Sequence, residues 1–232
     1  MERERVLRAH EPFRVRERQV HDATFVDRLA SAEPVPGGGS AAAIAGSLAA
    51  ALVAMVASLS QNRPKYAQHA ALHAEAITAA RTLADRFLVL ADEDAAMYGA
   101  YVAATRLPRE TDHERQNRDA AISQAARGAS DAPYRTVQAC ADVVGYAEAL
   151  AGRSNRNASS DLEVAALLSV AASRAAAANV YVNLPAIGDD GTSRELLVAT
   201  ERLADEIERQ ADALKEIVRS GVSREPIGVR PE

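Results

Sequence analysis

Residues 34–60, PVPGGGSAAAIAGSLAAALVAMVASLS, decide the fold of this chain. The stretch opens with three glycines and then runs for the length of a long helix without a charged residue. Four small residues recur at intervals of four, which places them on one face of that helix: Ala42, Gly46, Ala50 and Ala54. Because small side chains let two helix backbones approach closely, we expect another helix to pack against this face.

The opposite side of the same helix is apolar as well, with Ile44, Leu48, Leu52, Met55 and Leu59. A helix that is apolar all round is buried on all sides, which predicts the centre of a helical bundle shared with a second subunit. A membrane span is disfavoured, because the stretch is rich in alanine and has no flanking aromatic belt. A Walker phosphate loop is excluded, since no Lys follows Gly39.

Composition agrees with closely packed helices. Hydrophobic residues make up 48% of the 232 residues, but aromatic residues only 4%, and there is no Trp. The formal net charge of −5 gives no basic surplus, so no nucleic-acid partner is expected. The single cysteine, Cys140, excludes a disulfide within the chain and predicts a cytoplasmic protein.

We predict one all-α domain over residues 21–222, because no segment alternates with period two. Residues 1–20 form an Arg- and Glu-rich extension, and residues 223–232 a frayed tail. Asp22 is the predicted cap of a short first helix, and Ser40 that of the second, which ends near residue 60. Further helices are predicted over residues 66–106, 112–130, 133–150, 161–178 and 193–219. Residues 179–192 are predicted to form an irregular connection.

The first candidate site is the glycine run itself. Gly37, Gly38 and Gly39 let the backbone approach a ligand closely. The helix that follows from Ser40 presents unpaired N–H groups and the positive end of its dipole. This arrangement favours a carbonyl, a carboxylate or a developing negative charge; a tight turn with a good cap is the alternative.

Polar residues at apolar positions supply the other candidates. Asp94 shares one helical face with Phe87, Leu90, Met97 and Tyr101, where a carboxylate costs several kcal/mol unless it is paired or used. Asn157 and Asp161 lie at a helix start that Ser160 is predicted to cap. Asn179 and Asn183 are spaced by four among apolar residues, where a flat heteroaromatic ligand could pair their amides.

Lys65 and the histidines have weaker signals. Lys65 follows the end of the buried helix and could meet an anion or donate a proton, although most lysines at such positions are simply exposed. His69 and His73 are spaced by four, but no further ligands stand in a matching frame. We therefore expect no metal site.

Taken together, PGGGSAAAIAGS, PKY, DEDAAMYGAYVAATRLP, NRNASSD and NVYVNL resemble the cyclodeaminase/cyclohydrolase family of folate enzymes. The family includes the C-terminal half of formiminotransferase-cyclodeaminase and stand-alone methenyltetrahydrofolate cyclohydrolases. The resemblance implies an all-helical homodimer that takes a tetrahydrofolate derivative as substrate and needs no tightly bound cofactor. It also implies a cyclohydrolase that opens the 5,10-methenyl bridge to give 10-formyltetrahydrofolate.

Within that reading, Asp94 and Asp161 take the carboxylate roles, and Lys65 is the proton donor or a ligand of the glutamate tail. Gly37, Gly38, Gly39 and Ser40 form a pocket wall, and Asn157, Asn179 and Asn183 bind the pterin edge. Two alternatives stay open: a cyclodeaminase that releases ammonia from a formimino group, and a helical dimer that binds folate or a partner without turnover. Catalysis predicts that Asp94, Asp161 and Lys65 converge on one cavity.

Overall fold

The computed structural model describes residues 23–188 and 191–227, and every regular element in these ranges is helical. The chain divides into two units, residues 1–35 and 36–232. The first unit contains the short helix α1 (Ala23–Leu29). The predicted extension over residues 1–20 and the predicted cap Asp22 lie outside the described residues.

The second unit carries five long helices, so the predicted all-α fold is confirmed. They are α2 (Gly38–Ser60), α3 (Ala70–Thr105), α4 (Asp112–Leu150), α5 (Ser159–Ile187) and α6 (Gly191–Ser220). Short 3₁₀ turns, Pro64–His69 and Arg156–Ala158, precede α3 and α5. Helices α2 to α5 form a four-helix bundle, and α6 packs against α4 and α5.

The small face of α2 is buried as predicted, and α3 packs against it. At Gly46 the approach is so close that a Cβ atom would lie 2.4 Å from Cε1 of Phe87, a fully buried ring. From the next residue of α2, Ser47 Oγ donates a hydrogen bond to the carbonyl oxygen of Ala84 at 3.1 Å. The spacing of small residues therefore positions α3 on α2.

The opposite side of α2 is not buried, so the prediction of burial on all sides is wrong for a single chain. Leu48 is 56% exposed, and Met55 and Leu59 are exposed too. The neighbouring helix α5 is similarly apolar on its exposed side. We call these residues the α2/α5 outer face: Leu48, Met55, Leu59, Val164, Leu167 and Val182. The bundle covers only one side of α2, because nothing in the described second unit packs outside it.

The same two helices are long and apolar enough to cross a membrane by length and composition. In the window of greatest hydropathy, half of the α2 residues are buried inside the fold. The core helix of a helical bundle meets the same criteria of length and composition, so these two helices alone are weak evidence for a membrane span.

The predicted break between residues 130 and 133 is wrong, since α4 continues through Pro133. A proline inside a helix costs about 3 kcal/mol, because it removes one backbone hydrogen bond and crowds the preceding turn. Packing offsets that cost here. One buried stripe runs on both sides of the proline without interruption: Ala126, Ser130, Pro133, Val137, Cys140, Val144 and Ala147.

The predicted irregular connection over residues 179–192 is also largely helical, because α5 extends to Ile187 and ends at Gly188, whose φ is 104°. The two asparagines do not interrupt the helix. Asn179 Nδ2 donates to the carbonyl of Ala175 and Asn183 Nδ2 to that of Asn179, each at 2.9 Å. Their amides are thus partly satisfied by their own helix, and buried Val180 continues its apolar face.

The close contact at Gly46 gives a test of the fold. Gly46→Ala should destabilise the protein by about 1–3 kcal/mol, because the new methyl group forces Phe87 out of its buried position. Gly145→Ala in α4 is the matched control, since its Cβ would meet nothing within 4 Å. The control should stabilise the protein by about 0.5–1 kcal/mol through helix propensity. Urea unfolding of both variants measures the difference, and a neutral Gly46→Ala would contradict the packing of α3 on α2.

Candidate functional site

Asp94 reaches from α3 to the N-terminus of α2. Ser40 Oγ lies 3.0 Å from Asp94 Oδ2 and 3.0 Å from the carbonyl oxygen of Ala91. The backbone N–H of Ser40 also donates to the Asp94 carboxylate. The sequence predicted Ser40 as the cap of α2, and this prediction is wrong. Gly37 occupies the cap position without a side chain, and the carboxylate of a neighbouring helix takes over that task.

The glycine run makes room for this carboxylate. A Cβ atom on Gly39 would lie 2.2 Å from Asp94 Oδ1, so Asp94 fits only against a residue without a side chain. The backbone N–H groups of Gly38 and Gly39 have no acceptor among the described residues. Two free donors and the positive end of the helix dipole thus face the space beside Asp94.

The carboxylate of Asp94 is poised for proton transfer. Burial raises its pKa above the ordinary value of an aspartate, and the hydrogen bonds from Ser40 act in the opposite direction. A carboxylate that ionises closer to neutrality holds a proton more strongly, which makes it a better general base than an exposed aspartate.

Asn179 lies beside the same glycines. A Cβ atom on Gly38 would be 3.7 Å from Asn179 Nδ2, an ordinary contact distance. Asn183 follows one turn later on α5. The Oδ1 atoms of both asparagines have no hydrogen-bond partner in residues 23–188 or 191–227. The structure thus brings together seven of the predicted site residues, which we call the glycine-end cluster: Gly37, Gly38, Gly39, Ser40, Asp94, Asn179 and Asn183.

The remaining three predicted residues lie at the other end of the bundle. Ser60, the last residue of α2, accepts a hydrogen bond from the backbone N–H of Asn155 at 2.7 Å, so α2 and α5 run antiparallel. Asp161 is in the first turn of α5. At 1.5 Å per residue, it is about 27 Å along the helix from Asn179. Asp94, Asp161 and Lys65 therefore do not converge within one chain, and that prediction is wrong for the monomer.

At that far end, the local structure also differs from the prediction. Ala158, not Ser160, occupies the cap position of α5, and no side chain caps it. Asn157 is exposed, and its backbone N–H donates to Asn155 Oδ1 at 3.2 Å. Asp161 is half-buried in the first turn, where the helix dipole favours a negative charge.

The two histidines, His69 and His73, lie in the packed interior of the protein. Both are buried, and His73 Nε2 lies 2.9 Å from the carbonyl oxygen of Arg153 at the corner between α4 and α5. Burial, together with the positive charges of His73 and Arg153, lowers the pKa of His69. In the part of the chain that the structure describes, no group of three or more His, Cys, Asp or Glu side chains could hold a metal ion.

Sequence and fold comparisons agree with one another. A methenyltetrahydrofolate cyclohydrolase of Methylorubrum extorquens is 36% identical over 200 residues, which cover 86% of this chain and 96% of that protein. The formimidoyltransferase-cyclodeaminase of Gallus gallus is 31% identical over 190 residues, which cover only 35% of that longer protein. A crystal structure of formiminotetrahydrofolate cyclodeaminase from Thermotoga maritima shares the fold, with a TM-score of 0.78 over 87% of this chain at 24% identity. It is matched over 97% of its own length.

The family model described as formiminotransferase-cyclodeaminase matches residues 22–202, which include the whole glycine-end cluster. Together with the relatives above, this match shows that the chain belongs to the formiminotransferase-cyclodeaminase family.

Proposed function

We propose that the protein is a methenyltetrahydrofolate cyclohydrolase, which hydrolyses 5,10-methenyltetrahydrofolate to 10-formyltetrahydrofolate. The similarity to the Methylorubrum cyclohydrolase, which extends over nearly the whole of that protein, supports this reaction over others in the family. The observation that carries the proposal is the position of Asp94, a carboxylate of raised pKa beside two free N–H donors.

The chemistry follows from this arrangement. Water adds to the positively charged bridging carbon, and Asp94 takes the proton that the water loses. The oxygen of the tetrahedral adduct accepts hydrogen bonds from the N–H groups of Gly38 and Gly39. The bond from the bridging carbon to N5 then breaks, N5 takes up a proton, and the adduct's hydroxyl group loses its remaining proton to become the formyl C=O on N10. Two protons leave the water oxygen and one is taken up by N5, so one proton is released overall.

The ionised carboxylate has a second effect, since it attracts the cationic methenyl bridge of the substrate. Asn179 and Asn183 offer their free Oδ1 atoms to the N–H edge of the pterin. Those atoms project from one face of α5, one turn apart, so a flat ring laid along that face could meet both.

A second candidate is the cyclodeaminase reaction, in which N10 of the folate displaces ammonia from a formimino group. The similarity to the Gallus gallus enzyme favours it. Both reactions pass through a tetrahedral adduct at the same carbon, so the glycine-end cluster suits either. Release of ammonia from 5-formiminotetrahydrofolate distinguishes them.

We further propose that the protein is a homodimer joined through the α2/α5 outer face. Contiguous apolar surface on two neighbouring helices is unusual for a monomer. Ala51 and Ala171, near the middle of the two helices, are exposed, and such small residues permit close packing of a second copy. A cytoplasmic dimer agrees with the buried free thiol of Cys140, whose pKa is raised by burial.

A two-fold axis near the middle of α2 would complete the site. In an antiparallel arrangement, the end of α2 that carries Ser40 meets the partner's end that carries Ser60. Lys65 and Asp161 of one chain would then approach Asp94 of the other, which restores the predicted convergence across the interface. Lys65 would supply the proton to N5, and Asp161 a second negative charge for the methenyl cation.

Asp94→Asn tests the reaction. Asparagine still accepts the hydrogen bonds from Ser40 but cannot act as a base, so hydrolysis of 5,10-methenyltetrahydrofolate should fall by about 10²- to 10⁴-fold. Loss of the near-ultraviolet absorbance of the substrate measures the rate.

The same variant should be more stable than the wild type at neutral pH. Because the pKa of Asp94 is raised in the folded state, its ionised form opposes folding. The difference should therefore shrink as the pH falls and both states become protonated. An active Asp94→Asn would refute the role of Asp94, and a destabilised one would show that the carboxylate is mainly structural.

Gly39→Ala tests the geometry of the cluster. Its methyl group would collide with Asp94 and displace the carboxylate, so the rate should fall at least about tenfold while most of the fold is kept. Gly99→Ala is the matched control in α3, because its Cβ meets nothing within 4 Å. Equal rates for the two variants would contradict the close contact between Asp94 and Gly39.

The dimer has its own test. Light scattering after size exclusion should give about twice the mass of a single chain, and Leu48→Asp with Leu167→Asp should yield inactive monomers. Val198→Asp on α6 is the matched control, as Val198 is equally exposed but lies outside the α2/α5 outer face. An active monomeric double variant would overturn both the dimer and the shared site.

Mixing variants tests the shared site directly. Asp94→Asn and Lys65→Ala chains, each impaired alone, should recover up to about a quarter of the wild-type rate when subunits exchange, since a mixed dimer has one intact site. A mixture that stays inactive after demonstrated exchange would show that Asp94 of one chain and Lys65 of the other do not complete one site across the interface.

A further inference from the structure

A cavity lies at the end of the bundle opposite Asp94. It is enclosed by the 3₁₀ turn Pro64–His69, the start of α5 and the end of α6. Its volume is about 60 Å³. One buried water molecule needs only about 10–15 Å³, so a small polyatomic group fits. The lining residues that matter are Lys65, Tyr66, Ser154, Arg156 and Ser159.

The charges around the cavity are of one sign. Lys65 and Arg156 line it, and no acidic residue does. Neither cation forms an ion pair within residues 23–188 or 191–227. In a chain whose net charge is −5, two unneutralised cations beside one cavity are a marked local exception. Such a site attracts an anion against the overall field of the protein.

Arg156 lies against the turn that follows α6. A Cβ atom on Gly221 would be 2.6 Å from Arg156 Nη2, so the guanidinium group lies directly over the Gly221 backbone. The φ angle of Gly221 is 61°, a conformation that glycine adopts without strain. The turn after α6 thus forms one wall of the cavity beside this arginine.

An unpartnered polar side chain opens into the cavity. Ser154 is only 6% exposed, lines the cavity, and has no hydrogen-bond partner among the described residues. Its hydroxyl oxygen is not sealed inside the fold, so it is available to a group that enters the cavity. Tyr66 offers a second donor, because its hydroxyl oxygen accepts from the Arg156 N–H at 3.1 Å while its own hydrogen has no acceptor in the described part.

The start of α5 lies at the same place. Ser159 lines the cavity, and its backbone N–H donates to the carbonyl oxygen of Arg156. Two cations, unpaired within the described part of the chain, and the hydroxyl groups of Ser154 and Tyr66 therefore line the cavity. All of them favour one kind of ligand, a group with several negatively charged oxygen atoms.

We propose that this cavity is an oxyanion site that binds a carboxylate or a phosphate group through Ser154 and Arg156, with the positive charge of Lys65 at its edge. Two sources could supply the group: a free anion, or the glutamate tail of the substrate bound in the partner's glycine-end cluster. The site itself is independent of the proposed reaction, whereas its assignment to the substrate tail rests on that reaction and on the dimer.

Calorimetric titration of the full chain with inorganic phosphate, and separately with a triglutamate peptide, tests the site. The wild type should bind at least one of them. Arg156→Gln should weaken binding roughly tenfold or more, and Ser154→Ala several-fold, as expected for hydrogen bonds to a charged group. Arg202→Gln, which removes an exposed arginine from α6 away from the cavity, is the matched control and should bind like the wild type.

Absence of binding by the wild type, or unchanged binding by Arg156→Gln, would overturn the proposal. Arg156 is exposed, so its variant is expected to fold, and circular dichroism checks this. Because phosphate binding needs no turnover, it decides the site even if the protein proves inactive on folates.

Kinetics distinguish the two sources of the anion. If the substrate tail is the occupant, Arg156→Gln should raise KM for a triglutamylated substrate and leave KM for the monoglutamate unchanged. If a free anion is the occupant, both KM values should stay at the wild-type level while phosphate binding is lost. An equal loss of kcat on both substrates would instead assign Arg156 to the reaction and overturn the separate site.

Discussion

The contact between α2 and α3 is the constraint on which the rest of the structure depends. Two glycines of α2, about two turns apart, each leave room for one side chain of α3. Gly46 contacts the Phe87 ring, and Gly39 contacts the Asp94 carboxylate. A methyl group at either position would separate the helices. The packing that stabilises the core is thus the same packing that places a carboxylate at the N-terminus of α2.

This arrangement gives Asp94 two tasks at once. It accepts hydrogen bonds from Ser40 and thereby caps α2, and it keeps a raised pKa because it is half-buried. An aspartate that only caps a helix could do so at an exposed position, where its pKa would be lowered. The protein instead tolerates the cost of burial at this point, which is what a site that needs a base and an apolar cleft would require.

The fold could be predicted from the sequence where one pattern governs a whole helix. The small face of α2 and the amphipathic α6 are of this kind, since burial repeats with helical spacing. Local signals failed where tertiary packing outweighed them. Pro133 and Pro185 stand inside helices, and the asparagines of α5 bond to their own helix instead of ending it. Helix propensity is a weak guide wherever burial of a continuous apolar face can offset the cost of an unfavourable residue.

The candidate site shows the same division. The glycine run and Asp94 could be identified from the sequence, because three glycines before a helix and a carboxylate on an apolar face are both unusual. The direction of α5 relative to α2 could not be predicted, and this direction decides which polar residues lie close together. Ser154 and Arg156 were not predicted as site residues, because a serine and an arginine are ordinary residues in a polar loop. Their significance arises only when the end of α6 folds back over them.

The two ends of the bundle therefore have complementary chemistry. One offers a carboxylate, free N–H groups and amide oxygens suited to a cationic heterocycle, and the other offers cations and a buried hydroxyl group suited to an anion. A reduced folate with an ionised methenyl bridge and a carboxylate tail carries both charges in one molecule. The proposed antiparallel dimer would set the first end of one chain against the second end of its partner. Contact between the α2/α5 outer faces would then assemble, from polar groups of both subunits, a site for an elongated, dipolar substrate.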